Sequence, residues 1–459
     1  MDVWPLRLRQ YSLASMLRLQ LLSRNSVVFF SKSCSENLLQ YQKGIFHQCL
    51  SFSTENTSKK GPLHGVKILD LTRVLAGPFA TMVLSDLGAS VIKVEKPGMG
   101  DETRTWGPPF VGSESCYFLG INRNKSSLAV DLKTPEGVDI LKSLAAQCDV
   151  FMENFVPGSL ARVGLSYDDL QASCPGLIYC SLTGYGPTGP YSKRPGYDVM
   201  AASIGGLMSV TGPAQGPPCK VGIAMTDLAT ALFAHGAIMA ALIERSKTGR
   251  GQKIDCDLLS TQVACMTNLA SSYLNGNVEG KPYGSAHASI VPYQAFQTKD
   301  GYISVAGNNN EQFSSLCHNM DLSYLLTCNK FSDNSSRVRH RDELLPVLEK
   351  RFLELTTGDW LERFEGATFP YAPVNTLSQT FADPQVVHKE MVQTIDHPSI
   401  GPIKLLAPPV QFSESVNQIR SHPPRLGEHT RTILTELLKY EPHFIEDLAR
   451  RKIVQLCDD

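Results

Sequence analysis

The stretch Val66-Lys67-Ile68-Leu69-Asp70-Leu71-Thr72-Arg73-Val74-Leu75-Ala76-Gly77-Pro78, followed by Phe79 to Leu87 and by Ser90-Val91-Ile92-Lys93-Val94-Glu95, decides the fold. Two short apolar runs flank a helical one, which is the pattern of a βαβ unit. The pattern repeats downstream. Thr134-Pro135-Glu136 opens a helix to about Gln147, with proline in its first turn, and Val150-Phe151-Met152-Glu153 and Leu177-Ile178-Tyr179-Cys180-Ser181-Leu182 read as further strands. Strands alternating with helices imply a largely parallel sheet covered by helices, an α/β class. The turn Thr72 to Pro78 lacks G-x-G-x-x-G, so the chain does not carry the usual fingerprint for holding a dinucleotide.

Composition bounds the rest. The 459 residues exceed what one compact core holds and predict two domains. Lysine plus arginine (43) nearly balances aspartate plus glutamate (44), so no global field favours nucleic acid or an acidic membrane surface. Any bound anion must be held by a local cluster. The 12 cysteines include no C-x-x-C pair, which argues against a zinc site or a disulfide framework and for a reducing compartment. No apolar run approaches the ~20 residues that cross a bilayer, so a soluble protein without membrane association is expected. Between Val3 and Ser35 the basic residues Arg7, Arg9, Arg18, Arg24 and Lys32 stand without an acidic one, around a leucine-rich segment. That composition predicts a mitochondrial presequence and a matrix location.

We divide the chain into a presequence and linker (1–60), a first part of the large domain (61–283), a small α+β domain (284–370) and a return segment that completes the large domain (371–459). The break at Asn275 to Gly284 marks one boundary, short strand signals such as Tyr302 to Ala306 and a helical stretch from Arg341 to Leu355 fill the small domain, and a charged helical tail starts at Thr430.

One carboxylate stands out. Asp227 follows a glycine- and proline-rich segment and precedes residues 228–245, which carry apolar side chains all round as a buried helix would. A carboxylate at a helix head meets unpaired N–H groups and the positive end of the macrodipole, which favours its ionised, nucleophilic form. The same position suits a plain N-cap at Thr226 or Asp227.

The motifs Asp70 to Pro78, Val91 to Glu95, Gly100-Asp101-Glu102-Thr103-Arg104, Asn122-Arg123-Asn124-Lys125, Glu153-Asn154-Phe155, Gly184-Tyr185-Gly186, Gly196-Tyr197-Asp198, Thr248 to Gln252 and Arg425 to Thr430 occur in one ordered set. Together they resemble the class III CoA-transferases, over roughly residues 62–435. The resemblance implies a Rossmann-like large domain with a parallel sheet plus a smaller α+β domain, in an interlocked homodimer. It implies CoA transfer from succinyl-CoA to glutarate or a related dicarboxylate, with acyl-CoA and dicarboxylic acids as partners and no tightly bound cofactor. By the family pattern Asp227 is the catalytic nucleophile, with Asp198 as the alternative. Lys96, Lys133, Asn154, Phe155 and Arg162 match CoA contacts, and Val130 and Leu132 supply apolar walls.

Arg73 is the candidate receptor for the acceptor's second carboxylate, with Arg194 and Lys220 behind it. The racemases of the family carry histidine as an acid/base group where Tyr197 stands here, and a phenol of pKa ~10 is a poor proton shuttle near neutrality. Tyr197 therefore favours transfer, and it is a candidate substrate contact, with a purely structural role as the alternative. An α-methylacyl-CoA racemase and a non-catalytic acyl-CoA-binding protein are the alternatives. Gly205-Gly206 and Gly284 to Ser289 are candidate backbone donors for oxyanions. Cys317 reads as a small core residue.

Overall fold

The computed structural model describes residues 59–457, which fall into one compact unit. The expected presequence lies outside the described residues. The sheet begins with β1 (Lys67–Asp70), β2 (Ser90–Glu95), β3 (Lys125–Val130), β4 (Val150–Glu153), β5 (Ile178–Thr183) and β6 (Lys253–Asp257). All six run parallel in the spatial order 3-2-1-4-5-6. That is the doubly wound order, in which the chain reverses its winding between β1 and β4, and the crevice at the carboxyl ends of those strands is where ligands sit.

Both faces of the sheet are covered, as a parallel sheet requires. Alternation along each strand sends Ile68, Met152 and Cys180 to one face and Leu69, Phe151 and Tyr179 to the other. On the first face lie α1 (Ala76–Asp86) and, further along the chain, α4 (Met225–Thr248); on the second lies α2 (Pro135–Ala145), capped by Thr134 with proline in its first turn. Helices α3 (Asp198–Ile204) and α5 (Leu258–Cys265) pack beside α4.

A second core forms on a three-stranded antiparallel sheet of β7 (Tyr293–Gln297), β8 (Tyr302–Ala306) and β9 (Tyr371–Pro373), with β8 central. Helices α6 (Asn310–Asn319), α7 (Arg341–Phe352) and α8 (Thr357–Arg363) bury Phe352, Trp360 and Phe364 against Phe296 there. Cys317 is buried in this core, and burial pushes its thiol up to about 12, so it is no nucleophile near neutrality. A hairpin of β10 (Val392–His397) and β11 (Gly401–Leu406) follows. The chain then returns to the large sheet through α9 (Thr430–Glu436) and α10 (Pro442–Arg450). The tail read as helical ends in a strand, β12 (Val454–Gln455), which pairs antiparallel with the edge strand β3.

Helix α4 departs from expectation in two ways. It is apolar all round but not buried all round: Thr226, Thr230, Ala231, Ala234, Ile238 and Ala241 face the core, whereas Leu232, Phe233 and Ile243 are exposed. It is also long and apolar enough, by length and composition, to cross a membrane, although the sequence shows no unbroken run of that length: Leu, Ile, Met, Phe and Ala keep the mean hydropathy high while Thr, His and Gly interrupt them. Its core-facing side packs on α1, α5, β5 and β6.

Candidate active site

The turn after β1 is built by buried charges. The Asp70 carboxylate accepts from the Thr72 N–H (2.9 Å) and from the Thr81 hydroxyl on α1 (2.6 Å), and Lys125 lies 3.2 Å away. Lys93 donates to the Thr72 carbonyl (3.0 Å) and to Asp101 (2.8 Å), with neither Lys93 nor Asp101 side chain exposed. Burial alone would raise the Asp101 carboxyl, but Lys93 and the Thr103 hydrogen bonds hold it down at about 2. Arg104 grips Glu95 through two bonds of 2.7 Å. The charged residues Asp70, Lys93, Glu95, Asp101 and Arg104 of the sequence motifs thus hold the loops in place.

Those loops meet at the switch point. Arg73, just after β1, and Asn154, just after β4, bond reciprocally: the Arg73 N–H donates to the Asn154 side chain (3.1 Å), and the Asn154 amide donates to the Arg73 carbonyl (2.8 Å). Val74 is held at φ +71, a costly conformation for a β-branched residue, with its N–H on Asp101. The Arg73 guanidinium lies 5.0 Å from the Phe155 ring centroid and pairs with Glu102 at 2.6 Å. Arg73 Nε and the second Glu102 oxygen are buried without a partner.

Asp227 stands in the first turn of α4, and it does not cap that helix. The cap comes from outside: the Asp198 carboxylate accepts from the N–H groups of Thr226 (2.8 Å) and Asp227 (3.2 Å). Two glycines let this happen. Gly184 and Gly196 cross so closely that a Cβ on either would lie within 2.7 Å of the other's Cα, and their crossing sets Tyr197 and Asp198 at the start of α3. Asp198 is thereby committed to positioning the helix.

The Asp227 carboxylate accepts no hydrogen bond among the described residues and borders a cavity of about 250 Å³. Burial, and then the Asp198 charge, push it up to about 7. The sequence argument from the helix head pointed the other way, towards full ionisation; desolvation and a like charge outweigh the macrodipole here. Burial and the charges of Asp227 and Asp198 also raise the Tyr117 phenol.

The Asp227 cavity brings together Arg73, Asn154, Phe155, Arg194 and Tyr197, as well as Glu102 and Trp106. A neighbouring cavity of about 430 Å³ shares Arg73, Glu102 and Phe155 as a wall and is lined by Lys96, Val130, Leu132 and Lys133. Arg162 lies in neither; it is exposed and reaches Ser159 at 3.4 Å. Lys220 is exposed and turns to the Val221 carbonyl. Neither Gly205-Gly206 nor Gly284 to Ser289 contributes to the wall of the Asp227 cavity among the described residues. Glu102 was missed as a site residue although its motif was recognised, because only the fold shows which residue of Gly100 to Arg104 faces the cavity.

Known proteins resemble this chain over most of its length. Residues 63–430 match the family model described as CoA-transferase family III. The chain is similar to the succinyl-CoA:glutarate CoA-transferase of Homo sapiens, with 55% identity over 393 residues, 86% of this chain and 90% of that one. It is 38% identical to the succinate–glutarate CoA-transferase of Agrobacterium fabrum, over 84% of this chain and 98% of that one. Among solved structures, a CAIB/BAIF family protein from Brucella suis superposes with a TM-score of 0.76 at 41% identity, covering 83% of this chain and all of that one.

Proposed function

The chain belongs to CoA-transferase family III, and we propose that it moves CoA from succinyl-CoA to glutarate or a related dicarboxylate, with Asp227 as the group that carries the intermediates. One observation carries the reading: an unpaired carboxylate borders a cavity that adjoins a lysine-flanked one across the Arg73–Phe155 wall. Relatives named for succinyl-CoA or succinate with glutarate support the substrates.

The chemistry follows from the carboxylate outward. An Asp227 oxygen attacks the succinyl thioester carbon, the C–S bond breaks, and CoA leaves as thiolate, giving a succinyl–aspartyl anhydride. The thiolate attacks the aspartyl carbonyl, expels succinate and leaves an aspartyl–CoA thioester. A glutarate carboxylate then attacks that thioester and releases the thiolate, which attacks the glutaryl carbonyl and frees Asp227. Each step exchanges one activated acyl group for another, so no net proton is taken up, and water must be kept from the intermediates.

Arg73 fits the carboxylate of the acid that does not react. Its Nε lacks a partner, and a bidentate carboxylate would supply one. Tyr197, where the racemases carry histidine, faces the same cavity and fits transfer. The CoA chain would run through the cavity of Lys96, Val130, Leu132 and Lys133, with Asn154 and Phe155 at the junction. Arg162 remains a candidate only for a CoA group reaching outside these cavities. We also propose a homodimer, supported by the exposed apolar side of α4, and import into the mitochondrial matrix, supported by the basic, acid-free Val3 to Ser35 segment.

The test incubates the protein with succinyl-CoA and a panel of mono- and dicarboxylates and identifies CoA products by mass. We expect glutaryl-CoA; no exchange with any acid would sink the reading. Arg73→Met should raise KM for dicarboxylates at least about tenfold with less effect on CoA binding. Hydroxylamine after succinyl-CoA should label Asp227, whereas a label on Asp198 would transfer the nucleophile's role.

A further inference from the structure

We propose that the C-terminal segment, through Lys452, completes the nucleotide end of the CoA site by holding one of the coenzyme's phosphates. This rests on the reading of the chain as one that binds CoA thioesters. A third cavity, of about 600 Å³, adjoins the Lys133 cavity and shares Lys96 and Asp131 with it. Its remaining wall comes from Pro97 and Gly98 and from the C-terminal segment: α10, the turn after it that carries Lys452, and Val454 to Leu456. Three cavities in series thus lead from Asp227 to the C-terminal segment. With the thioester at Asp227, the phosphates and adenine of CoA must lie towards the far end. The family match stops at residue 430, so this end wall lies beyond it.

Charge bookkeeping along the two outer cavities points to an anion. Lys96, Lys133 and Lys452 are exposed and have no carboxylate partner among the described residues, whereas nearly every acid nearby already has its cation. Glu95 is held by Arg104, Asp101 by Lys93, Glu102 by Arg73 and Glu446 by Arg431. Asp131 alone is unpaired, and its side chain accepts the Lys133 N–H. Three free ammonium groups facing one free carboxylate leave net positive charge suited to phosphate.

The position of Lys452 is fixed by backbone. Val454 pairs with Val130 and Gln455 with Ala129, and the Asp131 N–H donates to the Ile453 carbonyl at 2.8 Å. Lys452 therefore leaves the fold next to the strand end that carries Asp131, Leu132 and Lys133. On the other side the Gln455 side chain accepts the Gly98 N–H at 2.6 Å, which ties the tail to the loop that begins with Lys96.

Calorimetric binding of CoA and of dephospho-CoA to the full chain tests this, with Lys452→Met and Lys452→Arg compared with the unmutated protein. Lys452→Met should weaken CoA binding roughly fivefold to tenfold, and Lys452→Arg should restore most of it. Loss confined to CoA assigns the 3′-phosphate; equal loss for both ligands assigns the diphosphate. Unchanged CoA affinity in Lys452→Met overturns the proposal. An independent readout uses the unmutated protein: saturating CoA should slow acetylation of Lys452 but not of the exposed Lys350 on α7, and equal labelling of Lys452 with and without CoA counts against it. Because these are binding measurements, a protein that binds CoA this way yet exchanges no acyl groups would refute only the transferase reading.

Discussion

As the proposed nucleophile, Asp227 must be ionised to attack, and it sits where ionisation is resisted. With its carboxyl at about 7, kcat/KM for succinyl-CoA should fall about tenfold per pH unit below that value and level off above it. Asp198→Asn removes the like charge while an amide oxygen can still accept the two helix N–H groups, so the acidic limb should move to lower pH. A limb unmoved by that substitution would assign the ionisation elsewhere. The same group has a thermodynamic signature. Its folded-state value lies above the ~3.9 of an unfolded aspartate, so the native state holds the proton more tightly. The stability it contributes is complete below about pH 4 and is lost as pH rises through 7. Asp227→Asn, which keeps the neutral form at every pH, should therefore be more stable than the unmutated protein at pH 8 by roughly 4 kcal/mol and nearly equal to it at pH 4, as urea denaturation would show. The aspartate was legible from its place before a long helix; its protonation was not, because burial and the neighbouring Asp198 come from the fold.

At the scale of elements, β2 shows what pattern does and does not reveal. Ser90 to Glu95 was readable as a strand from Val91, Ile92 and Val94, yet alternation suggests that Lys93 and Glu95 face water, and both are buried. Their partners, Asp101, Arg104 and Ser127, come from later loops and from β3, so the ion pairs exist only once the sheet has formed. The motif residues were conspicuous in the sequence while their work, holding the turn of Arg73 and Val74 at the switch point, was not. Lys93→Met tests that work. Removing the lysine leaves Asp101 buried without its cation, which should destabilise the protein by about 3–5 kcal/mol and release the Thr72 carbonyl. Replacing both partners, Lys93→Met with Asp101→Asn, should recover part of that loss, and a double variant no more stable than the single one would show that the pair is not the source of the effect.

For the whole molecule, the sheet order explains how distant segments meet. Arg73 follows β1 and Asn154 follows β4, adjacent strands on either side of the reversal, and the last strand of the chain closes the opposite edge. The βαβ signals foretold the parallel sheet, but a two-residue edge strand such as β12 carries too few side chains to show a period. Helix α4 raises the remaining question of what covers it. Phe233 is 56% and Ile243 60% exposed, and Leu232, about three turns from Ile243 on the same side, is 49% exposed. Met200 and Ile204 on α3 and Val263 on α5 add apolar surface beside them. A patch of this kind, on the helix whose head carries the proposed nucleophile, supports the proposed homodimer, since closure by symmetry would shield both patches at once. The protein should then show twice the mass of one chain by light scattering at micromolar concentration. Phe233→Glu together with Ile243→Glu, which places charge on the exposed side and leaves the core-facing side untouched, should shift it to the monomer or to aggregates and reduce turnover. An unmutated protein that is a stable monomer with full activity would show that α4 needs no partner.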